Sequence, residues 1–538
     1  MIFVTVIALY LTYRLYRFLH GLHKTSYLPG IRPLFDPTVP PGNFIPTCWF
    51  NYGFLWTWVF RKTEQFRPNY EVLSSVPILS GTPFYYLRSV EVVRQFLGNE
   101  IKNQIAKPDS FTTARLWGHS VASQHGEDWK RHRRAVVPAF NQTMFSRVAE
   151  ETVAVYNDLV TSQGWSSATR DVIVHIDPLI IRFTFVILSR CGFGIPISWK
   201  TNEDDSDDAI FEKALATASE TFIPRISIPN WLYALPIRAL QEIDNAWNTV
   251  VILMRKFAQA RRSDLAGFNE DGDRTRDVFT RLVLAADEVG KHALDISEVA
   301  PNMLTLLFAG HETTMSSLIT TLMMLALWQD EQEKAHEEIV REFPKGTLLT
   351  TNVCKGLKYV TACVMESNRL IPATVYLGRA TTTTEIHITI RRPRPETIVI
   401  PKDAMVVIDQ FSILHNPIDF PAPDVYNPSR FLDEVDSDMP MTIFGTGPRA
   451  CLGRKFAMTE MVCFIALFLR DWKVDVVPED LVNVEREALK GSRTQATGTK
   501  MSEKEKRERL QERLMSDAML RGTTFALGKV RLCVSARH

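Results

Sequence analysis

The chain has 538 residues, 45% hydrophobic and 23% charged, a composition that excludes global disorder and allows a large buried core. Its formal net charge is +1 and its basic residues are spread along the chain, which excludes a nucleic-acid-binding stripe; no DNA or RNA partner is expected. Seven cysteines (Cys48, Cys191, Cys354, Cys363, Cys451, Cys463 and Cys533) make no CxxC pair, which argues against a disulfide framework or a zinc cluster and fits a reducing compartment.

In chain order, an apolar run from Ile2 to Tyr13 comes first, followed by Arg14, Arg17 and Lys24. No basic residue precedes it and no small-residue cleavage site follows, so residues 1–24 read as a retained membrane anchor helix with the rest of the chain in the cytosol. Extended to Leu19, the run approaches the ~20 residues of a bilayer crossing, with Arg14 and Arg17 snorkelling to the headgroups. Pro29, Pro33, Pro37, Pro40, Pro41 and Pro46 then predict a stiff, extended linker over 25–63. From 64 to 538 no low-complexity block or internal repeat marks a second boundary, so one catalytic domain is expected.

Within it, apolar residues at helical spacing predict helices over 144–162, 209–221, 240–265, 278–289, 296–328 and 359–370. Alternation predicts strands over 385–391, 397–400 and 405–408. The fold class is mainly α with a minor β-sheet. Two segments read as surface insertions: an acidic turn over 202–208, and a charged helix over 500–515 with a solvated face, docking of a reductase being its alternative role.

The stretch most concentrated in chemistry is Phe444 to Gly453, FGTGPRACLG. Gly445 and Gly447 permit backbone conformations closed to other residues, and Gly453 allows close approach of backbone to a flat ligand. Cys451 is thereby presented, with Arg449 beside it as a fork for a carboxylate. A following helix N-terminus and metal coordination would both favour its thiolate. Elsewhere, AGHETT (Ala309 to Thr314) places Glu312 and Thr313 in a helix that otherwise reads as buried, where polar groups need a reason. Thr313 could also bond back to a carbonyl one turn earlier. Glu366 and Arg369 stand at i, i+3 on one helical face, with Arg430 in NPSRF as a third charge; Trp129 and Arg133 stand one helical turn apart in GEDWKRHRRAVVPAF.

These residues together resemble the cytochrome P450 family. FGTGPRACLG matches its signature FxxGxRxCxG at every defined position, AGHETT matches AGx(D/E)T, and Glu366, Arg369 and Arg430 match its ExxR and PERF triad, with Ser429 in place of the usual acid. The resemblance covers about residues 64–537 and implies the P450 fold with a haem b whose iron takes Cys451 as axial ligand. It further implies that Phe444 packs beside the sulfur, that Arg449, Trp129, Arg133 and Arg379 meet the haem propionates, and that Gly453 adjoins the ring. Glu312 and Thr313 would deliver protons to bound dioxygen, and Glu366, Arg369 and Arg430 would lock the fold.

The implied reaction is insertion of one oxygen atom into a C–H bond of a lipophilic molecule, with pocket walls at 111–121, 221–235, Phe308, Ala309, 374–377 and 525–527. No nucleotide- or flavin-binding pattern is present, so electrons are expected from a separate NADPH-cytochrome P450 reductase at the endoplasmic reticulum membrane. Arg131, Lys130 and Arg134 would lend a basic face to that contact. The chain looks closest to fungal members of secondary metabolism, with terpenoid, steroid or polyketide-sized substrates. Two other readings stay open: a haem-thiolate isomerase or dehydratase needing no reductase, and a haem-binding sensor without catalysis.

Overall fold

The computed structural model describes residues 2–62, 69–100, 104–108, 116–165, 171–200, 207–267, 277–288, 290, 293–433, 442–491, 501–521 and 524–537. They form two compact units, each assembled from three stretches of chain.

The first unit is built from 1–112, 374–425 and 441–451. Its sheet runs Gly30–Ile31, Val72–Ser75, Phe84–Leu87, Met405–Asp409, Tyr376–Thr381, Ile105–Ala106. The centre is the parallel pairing of Phe84 with Met405, flanked by antiparallel partners. Ile386–Ile390 and Glu396–Ile400 pair as a hairpin, as their alternation predicts, with Ile386, Ile388 and Ile390 all buried. Beneath the sheet, fully buried Arg88 donates to Ser412 Oγ at 2.7 Å and pairs with Asp409 at 3.8 Å, an ion pair that local sequence does not foreshadow.

The structure bears on two expectations here. Residues 25–62 are not an extended linker: Gly30–Ile31 joins the sheet, and Trp56, Thr57 and Trp58 in the Trp56–Val59 helix are buried. The prolines stiffen a segment that nonetheless supplies aromatic side chains to a core, Trp56 donating to Tyr86 Oη at 3.0 Å. The predicted N-terminal helix forms over Ile2–Lys24, yet among the described residues no helix is long and apolar enough to cross a membrane. Arg14 Nε donates to Ile78 O at 3.0 Å, and Tyr10 donates to Leu79 O at 3.1 Å, so the helix lies along its own unit.

The second unit contains 113–373, 426–440 and 452–538 and is mostly helical. All six predicted helices form: Gln142–Ser162, Asp207–Glu220, Arg238–Gly267, Val278–Asp287, Ile296–Leu327 and Lys358–Leu370. Ile296–Leu327 is buried along most of its length, and a capping box starts it, with Asp295 accepting from Ser297 N and Glu298 accepting from Asp295 N, both at 2.8 Å. A three-stranded sheet joins Trp472–Val476, Arg531–Ala536 and Val172–His175.

The charged insertion is a helix over Glu503–Ser516, but it is docked rather than solvated: Lys506, Leu510, Gln511 and Met515 are buried. Arg507 donates to Ala326 O at 2.8 Å and Gln511 accepts from Trp328 Nε1 at 2.6 Å. It therefore covers the open carbonyl end of Ile296–Leu327, where a cation is favoured. Of the acidic turn expected over 202–208, residues 202–206 lie outside the described residues.

Candidate active site

In the first unit, a single turn of 3-10 helix, Thr442–Phe444, leads into the Gly445–Gly447 loop, where both glycines adopt positive φ (70° and 77°). That geometry folds the chain back so that Cys451 N donates to Phe444 O at 2.8 Å and Ala450 N to Gly447 O at 3.1 Å. Residues with a Cβ rarely hold such angles. The result is an exposed Cys451, whereas Cys191, Cys354, Cys363 and Cys463 are buried and Cys48 and Cys533 half-buried. Arg379, on the Tyr376–Thr381 strand, is 6% exposed and donates to Gly378 O at 2.9 Å. Arg449 is half-buried two residues before the cysteine.

In the second unit, Gly453 is the N-cap of Arg454–Asp471, and a Cβ there would meet open space. Trp129 and Arg133 do meet on Gly126–Val136, the guanidinium 5.5 Å from the indole centroid. The basic face beside them is largely engaged within the protein. Lys130 pairs with Glu127 at 2.6 Å, and Arg131 grips Glu298 with both terminal nitrogens, Nη2 to Oε1 at 2.7 Å. Arg131 is thus a brace on the start of Ile296–Leu327.

Burial pushes the Glu298 carboxyl up, but the Arg131 hydrogen bonds, the Asp295 amide and His132 outweigh it and hold the group below its ordinary range. A depressed folded-state pKa contributes stability above the unfolded pKa and loses it as pH falls through the folded one. The thermal midpoint of wild type is therefore expected to exceed that of Glu298→Gln at neutral pH. The gap should close as pH falls below the usual glutamate range, read by thermal unfolding across pH.

On Ile296–Leu327, Glu312 is buried and Thr313 donates to Ala309 O at 2.7 Å, the back-bond that its position in the helix permits. Ser317 repeats the pattern to Thr313 O at 2.8 Å and also reaches Asn368 Oδ1 at 2.6 Å. Two residues before Thr313, His311 belongs to none of the site-residue sets named from sequence. Burial holds its imidazole down at about 4, so the neutral ring donates from Nε2 to Ile181 O at 3.1 Å and ties this segment to Ile176–Ile187. A histidine inside a buried helical run was the available signal.

Glu366, Arg369 and Arg430 do converge. Arg369 forks onto Glu366 (Nε to Oε2 2.7 Å, Nη2 to Oε1 2.9 Å), Arg430 Nε lies 3.4 Å from Oε1, and Asn427 N donates to the same oxygen at 2.9 Å. Glu366 and Arg369 are fully buried, so the pair is held in low dielectric.

Of the expected pocket walls, residues 111–115 lie outside the described residues. Trp117, Phe222 and Phe308 do gather, around an unforeseen Trp247, with Trp117 4.6 Å from Phe308 and 5.4 Å from Trp247 between centroids. Phe525 is instead fully buried, its carbonyl accepting from Ser316 and its amide donating to Ala373, and the Tyr376 hydroxyl is bonded to Thr57. Trp231 is 69% exposed.

A sequence model of the cytochrome P450 family matches residues 37–498. The chain belongs to the cytochrome P450 family. Among curated relatives, a cytochrome P450 monooxygenase 124 of Postia placenta is 26% identical over 89% of this chain and 92% of its own length. A leukotriene-B4 omega-hydroxylase 3 of Mus musculus is 26% identical over 88% of each chain, and cytochrome P450 4F2 of Homo sapiens 29% identical over 69% of this chain and 72% of its own.

This P450 is accordingly a monooxygenase with haem b as cofactor, held in this family through a cysteine thiolate. Its residues fit that group. Cys451 is an exposed soft donor, Arg379 and Arg449 suit carboxylates, and among the described residues no cluster of three His, Cys, Asp or Glu could hold a bare ion. A porphyrin would bring the iron's remaining ligands with it.

Proposed function

We propose that this P450 oxidises a lipophilic small molecule of terpenoid, steroid or polyketide size in secondary metabolism, at the cytosolic face of the endoplasmic reticulum, with electrons from NADPH-cytochrome P450 reductase. The observation that carries the reading is Cys451 exposed on a loop that Gly445 and Gly447 shape. Haem would supply the oxidising chemistry that no side chain can.

The chain's own residues do the rest. Cys451 would hold the haem iron through its thiolate, with Phe444 beside its sulfur and Gly453 leaving room at the start of the next helix. Arg449, Arg379, Trp129 and Arg133 hold the carboxylates. The Thr313 hydroxyl, anchored on Ala309 O, accepts and passes protons that Glu312 resupplies. Glu366, Arg369 and Arg430 keep the fold. The apolar walls of Phe308, Trp247, Trp117 and Phe222 suit a bulky hydrophobic ligand. Exposed Phe3, Val4, Val6, Leu9, Leu11 and Leu15 on Ile2–Lys24 support residence in a membrane interface.

The test is turnover of a lipophilic panel by holoprotein with reductase. Product that requires NADPH supports the reading. Turnover of hydroperoxides without NADPH would move it to the isomerase class, and haem-loaded protein without any turnover would make it a sensor. In the same assay Thr313→Ala, which deletes one proton-passing hydroxyl, should lower product formed per NADPH consumed by about 10-fold or more, while haem content stays unchanged.

A further inference from the structure

The second unit contains a pair of cysteines in contact. Cys354 lies in the short Thr351–Gly356 helix, which Thr350 caps through Val353 N, and Cys463 lies in Arg454–Asp471. Their Sγ atoms are 2.7 Å apart, with Cys354 8% exposed and Cys463 fully buried. Non-bonded heavy atoms in an interior settle at about 3.5–4.0 Å, and a covalent S–S bond at about 2.05 Å. The separation lies between the two figures, and neither sulfur has another hydrogen-bond partner among the described residues. Two buried thiols pressed together in this way gain a satisfied contact by losing their hydrogens.

We propose that Cys354 and Cys463 form a redox-active dithiol that a hydroperoxide converts to an intrachain disulfide, joining Thr351–Gly356 to the helix that leads away from Cys451. The inference is independent of the substrate and of Cys451 as ligand. Cys354 is the less buried of the two and reacts first: its sulfur attacks one oxygen of hydrogen peroxide, the O–O bond breaks, and the thiol proton leaves with the displaced hydroxide as water. Cys463 then attacks the resulting sulfenic sulfur, and its proton leaves with the second hydroxide. Two thiols and one hydrogen peroxide give one disulfide and two waters, the sulfurs losing the two electrons that the O–O bond gains. Burial holds the Cys463 thiol well above its ordinary range, consistent with Cys463 resolving rather than initiating. Its contact with Cys354 places it to capture the sulfenic acid.

The experiment treats full-length holoprotein with one to two equivalents of hydrogen peroxide, denatures it, alkylates free thiols and maps peptides by mass spectrometry. The expected result is a Cys354–Cys463 linked peptide, lighter by two hydrogens and cleaved by dithiothreitol. It should be absent in Cys354→Ala and in Cys463→Ala, and retained in Cys363→Ala, whose buried thiol lies on Lys358–Leu370. The cross-link, closing a long loop, should also raise the thermal midpoint of treated wild type by a few degrees. Complete alkylation of both cysteines in treated wild type overturns the proposal. So does a linked peptide in which either one is joined to Cys363. The wild-type measurement decides the matter even where an alanine variant folds poorly.

Discussion

Replacing Cys451 by serine is expected to abolish the long-wavelength carbon monoxide band of the reduced protein, together with all monooxygenase turnover. A serine hydroxyl is a hard donor that stays protonated at neutral pH, whereas a thiolate is soft and remains bound to iron through reduction. The location of Cys451 makes the test clean. It is exposed, its amide donates to Phe444 O at 2.8 Å, and serine preserves that backbone bond. Substitutions at such surface positions usually change stability by within about 0.5 kcal/mol. The thermal midpoint of apoprotein should therefore be nearly the same for wild type and Cys451→Ser, while their difference spectra diverge completely. A normal band in Cys451→Ser would remove Cys451 as the ligand.

Glu366→Ala is expected to be the most damaging single change to the fold. It leaves the Arg369 guanidinium fully buried without its counter-ion and strands the Asn427 amide, which bonds the same carboxylate. Removing one partner of a buried pair costs about 3–5 kcal/mol, against a total stability of about 5–15 kcal/mol for a folded domain. Soluble, haem-loaded protein should fall sharply, and the urea midpoint of whatever remains should drop. Arg369→Ala should cost somewhat less, because Glu366 keeps Arg430 at 3.4 Å and the Asn427 amide. The double variant Glu366→Met with Arg369→Leu should recover part of the loss, since it buries no lone charge. Equal soluble yield and equal midpoints for Glu366→Ala and wild type would sink this account.

What could be read in advance follows from how local the information is. The six long helices and the Ile386–Ile400 hairpin are written in spacing along the chain, so Ile296–Leu327 and Lys358–Leu370 were placed to within a residue or two. The Phe444 to Gly453 loop was legible because positive φ selects glycine and leaves it visible at Gly445 and Gly447. Partners distant in sequence were not legible. By local pattern Arg131 reads as surface charge although Glu298 faces it, and Lys506 to Met515 read as solvated because the surface they cover belongs to the end of another helix. The prolines of 25–62 announced stiffness, but only the sheet that receives Gly30–Ile31 reveals packing. Arg88 and Asp409 share no local pattern at all.

The parallel pairing of Phe84–Leu87 with Met405–Asp409 also sets a timetable for biosynthesis. A ribosome adding about 5–20 residues per second must work for tens of seconds after releasing the first strand before the second exists. During that wait Phe84, Tyr85 and Tyr86, among the most completely buried side chains of the finished protein, have no sheet neighbour on that edge. Nascent chains of this protein are therefore expected to gain from chaperones that shield aromatic strands. Yield in a heterologous host should respond more to slowed translation and chaperone supply than to codon choice near the start of the message.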